Sequence, residues 1–504
     1  MITIFGKNPF KSKKNNSTKT PPSFKIKVII LPKQGGVSMS RKKRNRRKKY
    51  SIDLGKGKVK IKFTKKEMTA YGGFSLLSVF FEKIKLREAI EKIIPITETS
   101  NNRIPIYDKV LGFALTIFAG GSRFSHMMYL GGQSILESLF SLKKLPKAST
   151  TLTRLFGKIK RRKTSDMLSE KLWEYLEKLI PWKRIKQDWL GFDSSVLVRY
   201  GKQEGAKKGY NPNKKGRPSH NPIIAFLNQS KYVVNIWNRP GNTISWNNIN
   251  NFFDNVYARI KDKLKIQGVL ADSGFYVLKF IKKLESENLE YIIGAVLYPN
   301  MQRKIYELST WEEIEKGIWI TEFRFKHHAW KSERRYITVK QDVTKHEKAM
   351  GKQLKLFPEE TRSYRYTVYV TNSSREPVEV WKSIRKRGGD ENTIKELKED
   401  FALHGFSMHS FYATESAMLI RMLLHNLFII FRLYTFGKAE RKNRLKTLRY
   451  KYFVVPGIMG SEGNVKILRL YAPVQKIRAK FIYYFNKLFR YNPFDIPNCN
   501  AVGI

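Results

Sequence analysis

The stretch GFDSSVLVRYGKQEGAKKGYNPNKKGRPSHNP, residues 191–222, joins two unlike segments. It opens with an apolar, β-branched run that contains one acid, Asp193, and continues as a loop rich in Gly, Asn and Lys. A β-branched run favours a strand, whereas Gly and Asn favour turns. A carboxylate is costly to bury unless it is paired, protonated or bound to a metal. The stretch therefore predicts either a strand-end Asp bonded to backbone amides or a metal ligand beside a loop that binds a polyanion.

The whole chain carries a large positive charge. Its 504 residues include 97 Lys and Arg against 42 Asp and Glu, a formal net charge of +55, with 41% hydrophobic residues. The apolar content is enough for a core, but charge of one sign opposes compaction unless a polyanion screens it. Residues 1–66 hold 22 of the basic residues and one acid, which leaves 75 basic against 41 acidic residues elsewhere. Nucleic acid is the favoured partner, an anionic membrane surface is the rival, and codon drift toward Lys, Asn and Ile explains part of the excess.

Several protein classes are excluded by the sequence. The single cysteine, Cys499, excludes an intrachain disulfide and a thiolate metal site. Apolar runs at 110–121 and 417–431 are short for a membrane span of about 20 residues, so they predict buried core helices and no membrane association. The sequence contains neither a secretory signal nor a Walker phosphate loop, so neither secretion nor nucleotide hydrolysis is indicated.

Periodicity divides the chain into six predicted segments. Apolar residues three and four apart predict helices, alternating strands and helices predict an α/β domain, and aromatic, β-branched runs predict a β-rich insertion. Met39 precedes the basic run at 41–49, so residues 1–38 are either native or an upstream extension. The predicted segments are a basic low-complexity arm (1–66), a helical domain (67–184), the first part of an α/β domain (185–299), a β-rich insertion (300–376), a second, helical part of the α/β domain (377–436) and a basic C-terminal region (437–504).

Three acids follow one another along the predicted α/β domain. Asp193 lies in its first strand, Asp272 ends the strand predicted at 266–272, and Glu391 opens a helix after the insertion. Each acid also has a structural interpretation: a strand-end Asp, an Asp-Ser-Gly turn, and a first-turn Glu favoured by the helix dipole. Carboxylates that converge from separate elements hold paired divalent metals in phosphodiester chemistry. The order of the three acids therefore favours a metal site more than any one of them does.

A helical stripe of charge surrounds the third acid. At about 100° per residue, Arg387, Glu391 and Lys398 fall near one face of a helix. This spacing indicates either a carboxylate flanked by two phosphate-binding cations or an exposed face with salt bridges.

With these residues in place, the chain resembles the DDE transposases of bacterial insertion sequences, in the group with a Tyr-Arg-Glu-Lys signature (insertion-sequence-4 or -1380 type). The resemblance runs from about residue 70 to residue 488 and is strongest in the blocks at 188–226, 269–276 and 387–401. It implies an α/β ribonuclease-H-like catalytic domain with a β-rich insertion, preceded by an all-helical DNA-binding domain. The signature Tyr falls at Ile384, which places its phosphate contact in doubt.

The resemblance also implies roles for individual residues. Asp193, Asp272 and Glu391 would be the catalytic acids and would bind two Mg²⁺ ions, for which Mn²⁺ could substitute. An aromatic of the insertion, Trp330 or Trp319, would stack on a displaced base or simply belong to the core. The implied DNA-binding residues are Arg387, Lys398, Lys202, Lys207, Lys208, Lys214, Lys215 and Arg217.

The function implied by the resemblance is cut-and-paste DNA transposition. The protein would bind the terminal inverted repeats of its insertion sequence and target DNA, as a homodimer on DNA, in the nucleoid-associated cytoplasm of a prokaryote. Two alternatives stay open on the sequence: an inactive or repurposed DNA-binding protein, and a structure-selective nuclease on the same fold.

Overall fold

Contacts within the chain divide it into a first unit, residues 1–66, and a second unit, residues 67–504. In the first unit, strands β1 (Ser51–Asp53) and β2 (Lys60–Lys62) pair antiparallel. The basic run at 41–49 lies outside the described residues. The structure, a computed structural model, describes residues 51–53, 60–62, 64–212, 214–327, 330–344, 356–357, 363–386 and 393–494.

The second unit combines helices and strands. Its described helices are α1 Ser75–Lys83, α2 Leu86–Ile93, α3 Ile106–Phe118, α4 Ser134–Leu139, α5 Ser149–Phe156, α6 Arg162–Leu179, α7 Ile249–Ile260, α8 Leu278–Ser286, α9 Pro299–Tyr306, α10 Pro377–Lys386, α11 Phe411–Thr435, α12 Leu445–Leu448 and α13 Gln475–Arg490. Its described strands are β3 Met68–Thr69, β4 Gln187–Ser194, β5 Leu197–Val198, β6 Ser219–His220, β7 Ile223–Leu227, β8 Val233–Trp237, β9 Lys265–Ala271, β10 Glu290–Gly294, β11 Glu312–Glu315, β12 Ile318–Phe325, β13 Arg334–Asp342, β14 Tyr364–Thr371, β15 Gly457–Glu462 and β16 Val465–Leu470.

A mixed sheet of nine strands forms the centre of this unit in the part of the chain that is described. Its strand order is β11-β12-β13-β14-β10-β9-β4-β7-β8. Strand β4 pairs parallel with β9, and β9 pairs parallel with β10, whereas the other pairs are antiparallel. The strands predicted within 300–376 therefore extend the sheet of the α/β domain beyond β10 and do not form a separate sheet.

The side chains of β4 pack alternately on the two faces of this sheet. Phe192 contacts aromatic rings of α7 and α8, including Phe252 and Phe280. Trp189, on the opposite face, belongs to a second apolar cluster with Trp381 of α10. Because strand residues alternate between faces, residues 189, 191 and 193 share the α10 face. Burial on both faces explains why β7 and the centre of β4, residues 189–192, are apolar without alternation.

Helix α11 covers the β8 edge of the sheet. It is long and apolar enough to cross a membrane, but 83% of its apolar window is buried inside the protein, so it is the core helix that the sequence predicts. Its buried Asn426 accepts a hydrogen bond from the Val233 backbone N–H at 2.9 Å and donates one to the Val233 carbonyl at 2.7 Å. One amide thus satisfies both groups of an edge residue, which keeps the edge from pairing with another chain.

A hairpin near the C-terminus was not predicted from the sequence. Strands β15 and β16 pair antiparallel, and β15 also pairs with β3. The basic residues and small residues of 457–470 lack the strict alternation that predicts a strand from sequence.

Replacing Asn426 with Leu should destabilise the protein. The substitution leaves the Val233 N–H and C=O buried without partners, so the free energy of unfolding should fall by about 2 to 4 kcal/mol. Urea unfolding followed by circular dichroism measures this free energy of unfolding. Asn464→Leu, at an exposed position between β15 and β16, is the control and should change little. Equal stabilities for the two variants would refute this role of Asn426.

Burial of Glu415 on α11 should make stability depend on pH. Its carboxylate accepts hydrogen bonds from the Ser165 hydroxyl at 2.6 Å and the Asn238 N–H at 2.7 Å, and burial raises its pKa to about 7. Because the folded pKa lies above the unfolded value of 4.5, the native state binds more protons between those two pH values. Stability from this group is therefore complete below about pH 4.5 and is lost as the pH rises through about 7.

Glu415→Gln should remove this pH dependence because the amide stays neutral. Between pH 4.5 and 7.5, the wild type should lose on the order of a few kcal/mol of unfolding free energy relative to the variant. Urea unfolding at a series of pH values provides the comparison. Glu174→Gln, at an exposed position on α6, should keep the wild-type profile. Parallel profiles for wild type and Glu415→Gln would show that the pKa of Glu415 is not raised.

Candidate active site

Two of the three predicted acids lie side by side at the carboxyl ends of β4 and β9. Phe192 pairs with Ala271 in the parallel register, so the next residues, Asp193 and Asp272, occupy the same level of adjacent strands. Neighbouring strands lie about 4.8 Å apart. Leu270 belongs to the α10-side cluster, so alternation places Asp272 on the same face as Asp193. The sheet register therefore brings two half-buried carboxylates together.

The Asp272 carboxylate also shapes the turn that follows it. Its Oδ1 accepts a hydrogen bond from the Gly274 N–H at 2.8 Å and opens the short helical turn Ser273–Phe275. A Cβ at position 274 would lie 2.7 Å from Ser245 Oγ, so a larger residue there would have to displace the Ser245 side chain. Among the described residues, Oδ2 of Asp272 has no hydrogen-bond partner. The Asp-Ser-Gly turn thus engages one oxygen of the carboxylate.

A buried arginine that sequence reasoning missed, Arg239, is bonded to the residue that follows Asp193. The Arg239 guanidinium donates to Ser194 Oγ and to the carbonyls of Asn221 and Ser245, at 2.8 to 2.9 Å. It is 6% exposed, and burial lowers its pKa to about 10, so it stays charged near neutral pH. Ser194 follows Asp193 directly, so this cation ties the end of β4 to the loop after β8. The basic residue that follows the apolar run of β8 is the signal that could have identified it.

Helix α10 leads the chain to the third predicted acid from the same face of the sheet. Its Val380 and Trp381 are buried in the cluster that contains Trp189, and Ile384 packs against that cluster. The residue at the signature Tyr position is thus used for packing. Arg387 and Glu391 lie outside the described residues, immediately beyond the last residue of α10.

Lys398 lies in the π-helical turn Glu396–Asp400. Within this turn the regular 100° spacing of an α-helix does not hold. The predicted stripe with Arg387 and Glu391 stays a prediction, because those two residues lie outside the described ranges. Neighbouring acids anchor the turn: Glu396 accepts from Arg432 of α11 at 3.2 Å, and Asp400 accepts from Arg444 at 2.9 Å. Lys398 itself is half-buried, and its position is set by these ion pairs and not by helical periodicity alone.

The loop that follows β4 is folded at its base. Glu204 donates its backbone N–H to the His409 carbonyl at 2.8 Å, and its carbonyl accepts from His220 Nε2 at 2.8 Å. His220 Nδ1 accepts from Arg199 Nε at 3.1 Å, which makes the imidazole neutral. Burial lowers the pKa of His220 to about 4, in agreement with that neutral form. The base of the loop is therefore held by a buried histidine and arginine, and by the Glu204 carboxylate, which accepts from the Phe411 N–H at 2.9 Å.

The predicted DNA-binding residues of this loop all face solvent. The exposed ring of Tyr200 lies among them: Lys214 Nζ is 2.5 Å from its hydroxyl, and the Arg217 guanidinium is 5.7 Å from its ring centre. The loop begins directly after β4, the strand of Asp193, and returns to it at β7. The exposed cations are Lys202, Lys207, Lys208, Lys214, Lys215 and Arg217.

The two tryptophans considered for base stacking differ in burial. Trp330 is 6% exposed and packs against Tyr276, with ring centres 5.1 Å apart, so it belongs to the core. Trp319 is half-buried, and its ring lies 5.2 Å from Lys340 Nζ. A stacking role for Trp330 is therefore wrong in this conformation, whereas Trp319 stays a prediction.

The carboxylates suit a hard divalent cation. Mg²⁺ prefers oxygen ligands, and Asp193 and Asp272 offer oxygens from neighbouring strands. Within the described ranges, no three His, Cys, Asp or Glu residues could hold a metal ion together. A third carboxylate would come from Glu391, beyond those ranges.

Comparison with known proteins was made for the whole chain. No curated protein matches it. Among solved structures, it is similar to the piggyBac transposase in a cryo-EM synaptic complex with hairpin DNA, at 13% identity and a TM-score of 0.41, over 87% of this chain and 90% of that chain. The family model described as transposase DDE domain group 1 matches residues 53–489.

The family match covers the strands that carry Asp193 and Asp272 and the helices on both sides of Glu391. The prediction of a DDE transposase is confirmed, whereas the insertion-sequence group and the prokaryotic origin stay predictions. With most of its length inside the family model, the chain belongs to the transposase DDE domain family, group 1.

Proposed function

We propose that this transposase binds the terminal inverted repeats of its own element, cleaves DNA there and joins the freed ends to target DNA. The observation that carries the proposal is the parallel register that places Asp193 beside Asp272 at the carboxyl ends of adjacent strands. The order β8-β7-β4-β9-β10 within the sheet supports a ribonuclease-H-like catalytic domain, with β11 to β14 as its insertion.

Asp193, Asp272 and Glu391 are the proposed ligands of two divalent metal ions. Ions bound there would activate the attacking oxygen and stabilise the leaving oxygen. Water first attacks a backbone phosphorus at the element's end, and the released 3′-hydroxyl then attacks a target phosphorus. Each step breaks one phosphorus–oxygen bond and forms another, so no net oxidation occurs. Mg²⁺ is the proposed ion, and Mn²⁺ could replace it.

The loop after β4 is the proposed phosphate clamp. Its exposed lysines and Arg217 face solvent, where phosphates of a bound duplex would neutralise them. Arg387 and Lys398 would hold phosphates nearer to the reacting bond. Helices α1 to α6 are proposed to take part in recognising the repeats. Joining two ends in concert requires two copies of the protein on DNA, so we propose a homodimer in the bound state.

Substitution of each proposed acid should abolish cleavage. Asp193→Asn, Asp272→Asn and Glu391→Gln should each lower the rate of cleavage of a labelled element end by about a thousandfold, because several kcal/mol of transition-state stabilisation are lost. Gel analysis with Mg²⁺, and with EDTA as a blank, measures the rate. The control Asp254→Asn, on the outer surface of α7, should cut normally.

The pattern of failures separates the alternatives. A variant that still cuts would show that its acid is misassigned. A wild type that binds the end tightly but never cuts would be a DNA-binding protein without catalysis. Cleavage of branched duplexes without end joining would identify a structure-selective nuclease.

Removing charge from the loop should weaken binding to duplex DNA and reduce its salt dependence. The variant combines Lys214→Gln, Lys215→Gln and Arg217→Gln. The magnitude of its slope of log affinity against log salt concentration should decrease by roughly 2.7, about 0.9 for each phosphate contact. Fluorescence anisotropy with a labelled element-end duplex, at a series of salt concentrations, measures this slope.

The matched control neutralises exposed lysines at the opposite end of the sheet. Lys186 precedes β4, while Lys261 and Lys265 lie near the beginning of β9. Their combined replacement by Gln removes the same net charge and should leave most of the slope in place. Equal changes for both triple variants would show that the loop contributes only through net charge.

A further inference from the structure

The C-terminal part of the chain is a basic surface outside the candidate active site. Residues 441–494 contain thirteen Lys and Arg but one acid, Glu462, which pairs with Arg469. Glu440, just before this segment, pairs with Lys480 at 2.7 Å. The basic residues of this segment therefore far outnumber its single carboxylate. The resulting positive charge favours binding of a polyanion.

A groove crosses this surface where the β15–β16 hairpin leaves and rejoins the rest of the unit. It has a volume of about 560 Å³. Its walls are two chain segments, 450–456 and 471–480. A hydrogen bond from the Tyr471 N–H to the Pro456 carbonyl, at 2.8 Å, holds the two segments together. Buried Val455 and Ala472 contribute to the lining. The groove is therefore a defined depression with a partly apolar floor.

Exposed aromatic rings and lysines line the same groove. Tyr450 is 84% exposed and Tyr471 is 67% exposed. Two exposed lysines also line the groove: Lys451, which follows Tyr450 directly, and Lys476, five residues after Tyr471. An exposed tyrosine ring forgoes the stabilisation that burial of its apolar surface would give. Two such rings beside two lysines therefore indicate a partner that offers both flat rings and negative charge.

An unpaired nucleic-acid strand offers both features. Its bases can stack on aromatic rings, and its phosphates can meet lysines along a positively charged groove. A duplex presents only phosphates and sugars to such a surface, and these do not use an apolar floor. The charge of the segment also disfavours a second copy of this chain as the occupant, because two such surfaces repel each other.

We propose that this groove binds an unpaired segment of a DNA strand, with bases on Tyr450 and Tyr471 and phosphates against Lys451 and Lys476. The proposal rests on the proposed function in one respect, that the protein acts on DNA. It shares no residue with the candidate active site. Strand separation next to a cleaved end would supply such a segment, and the groove would keep it away from the complementary strand.

Binding of the full-length protein to labelled oligothymidylate tests the groove. Affinity is measured by anisotropy in EDTA, and each result is expressed relative to the affinity for a random-sequence duplex of equal length. Tyr450→Ala and Tyr471→Ala should each weaken single-strand binding by about fivefold or more, with duplex binding changed less than about twofold. Tyr129→Ala, at a position 75% exposed on another part of the chain, is the control and should change neither affinity.

The lysines are tested through salt dependence. Lys451→Gln combined with Lys476→Gln should reduce the single-strand salt slope by roughly 1.4, about 0.7 for each contact. Unchanged oligothymidylate binding in both sets of variants would overturn the proposal. So would an equal loss of single-strand and duplex binding, which would assign the groove to the duplex backbone. Loss of self-association or of binding to anionic vesicles, with intact single-strand binding, would also overturn it.

The assay is independent of the proposed chemistry. EDTA prevents cleavage, so a failure of the groove is read from binding alone. A failure of the proposed function is read from the cleavage assay with Asp193→Asn, whose groove is intact. Because all four substituted side chains face solvent, thermal unfolding of each variant should match the wild type, and a lowered melting temperature would mark a folding defect.

Discussion

The parallel pairing of β4 with β9 is the constraint on which the candidate site depends. It fixes two carboxylates at one level of adjacent strands, where like charges repel unless cations lie nearby. The proposed metal ions would supply such charge, while Arg239 fixes the end of β4 by bonding Ser194. Burial of β4 on both faces keeps the register, because a slip of one residue would exchange Phe192 with Asp193 between an apolar cluster and the site.

Some charged residues form ion pairs that hold the fold together, whereas others are exposed and available to bind DNA. Glu396 and Asp400 are engaged by arginines of neighbouring helices, which anchors the turn that carries Lys398. The loop after β4 is held differently, by backbone bonds and by a neutral histidine, so its lysines remain exposed. Exposed cations are thus found in the loop after β4 and on the C-terminal surface, where DNA phosphates would balance them.

Sequence reasoning was strongest where the signal is local. The strand ending at Asp272, the apolar helix α11 and the strands around 318–371 follow from residue type and periodicity. It was weakest where partners are distant along the chain. The β15–β16 hairpin, the burial of Trp330 and the role of Arg239 depend on contacts that no short window contains. The predicted stripe of Arg387, Glu391 and Lys398 stays a prediction, because the structure describes only Lys398, in a π turn that sequence periodicity does not predict.

The sequence by itself determined the chemistry that is available: which acids stand in strands, where the cations are concentrated, and that the chain has an apolar core. Only the tertiary structure decided that Asp193 and Asp272 share a level and a face, that Ile384 packs on the sheet, and that the insertion strands continue the same sheet. The physical reason is that periodicity records how a segment is buried, whereas strand order and register arise from packing between segments far apart in sequence.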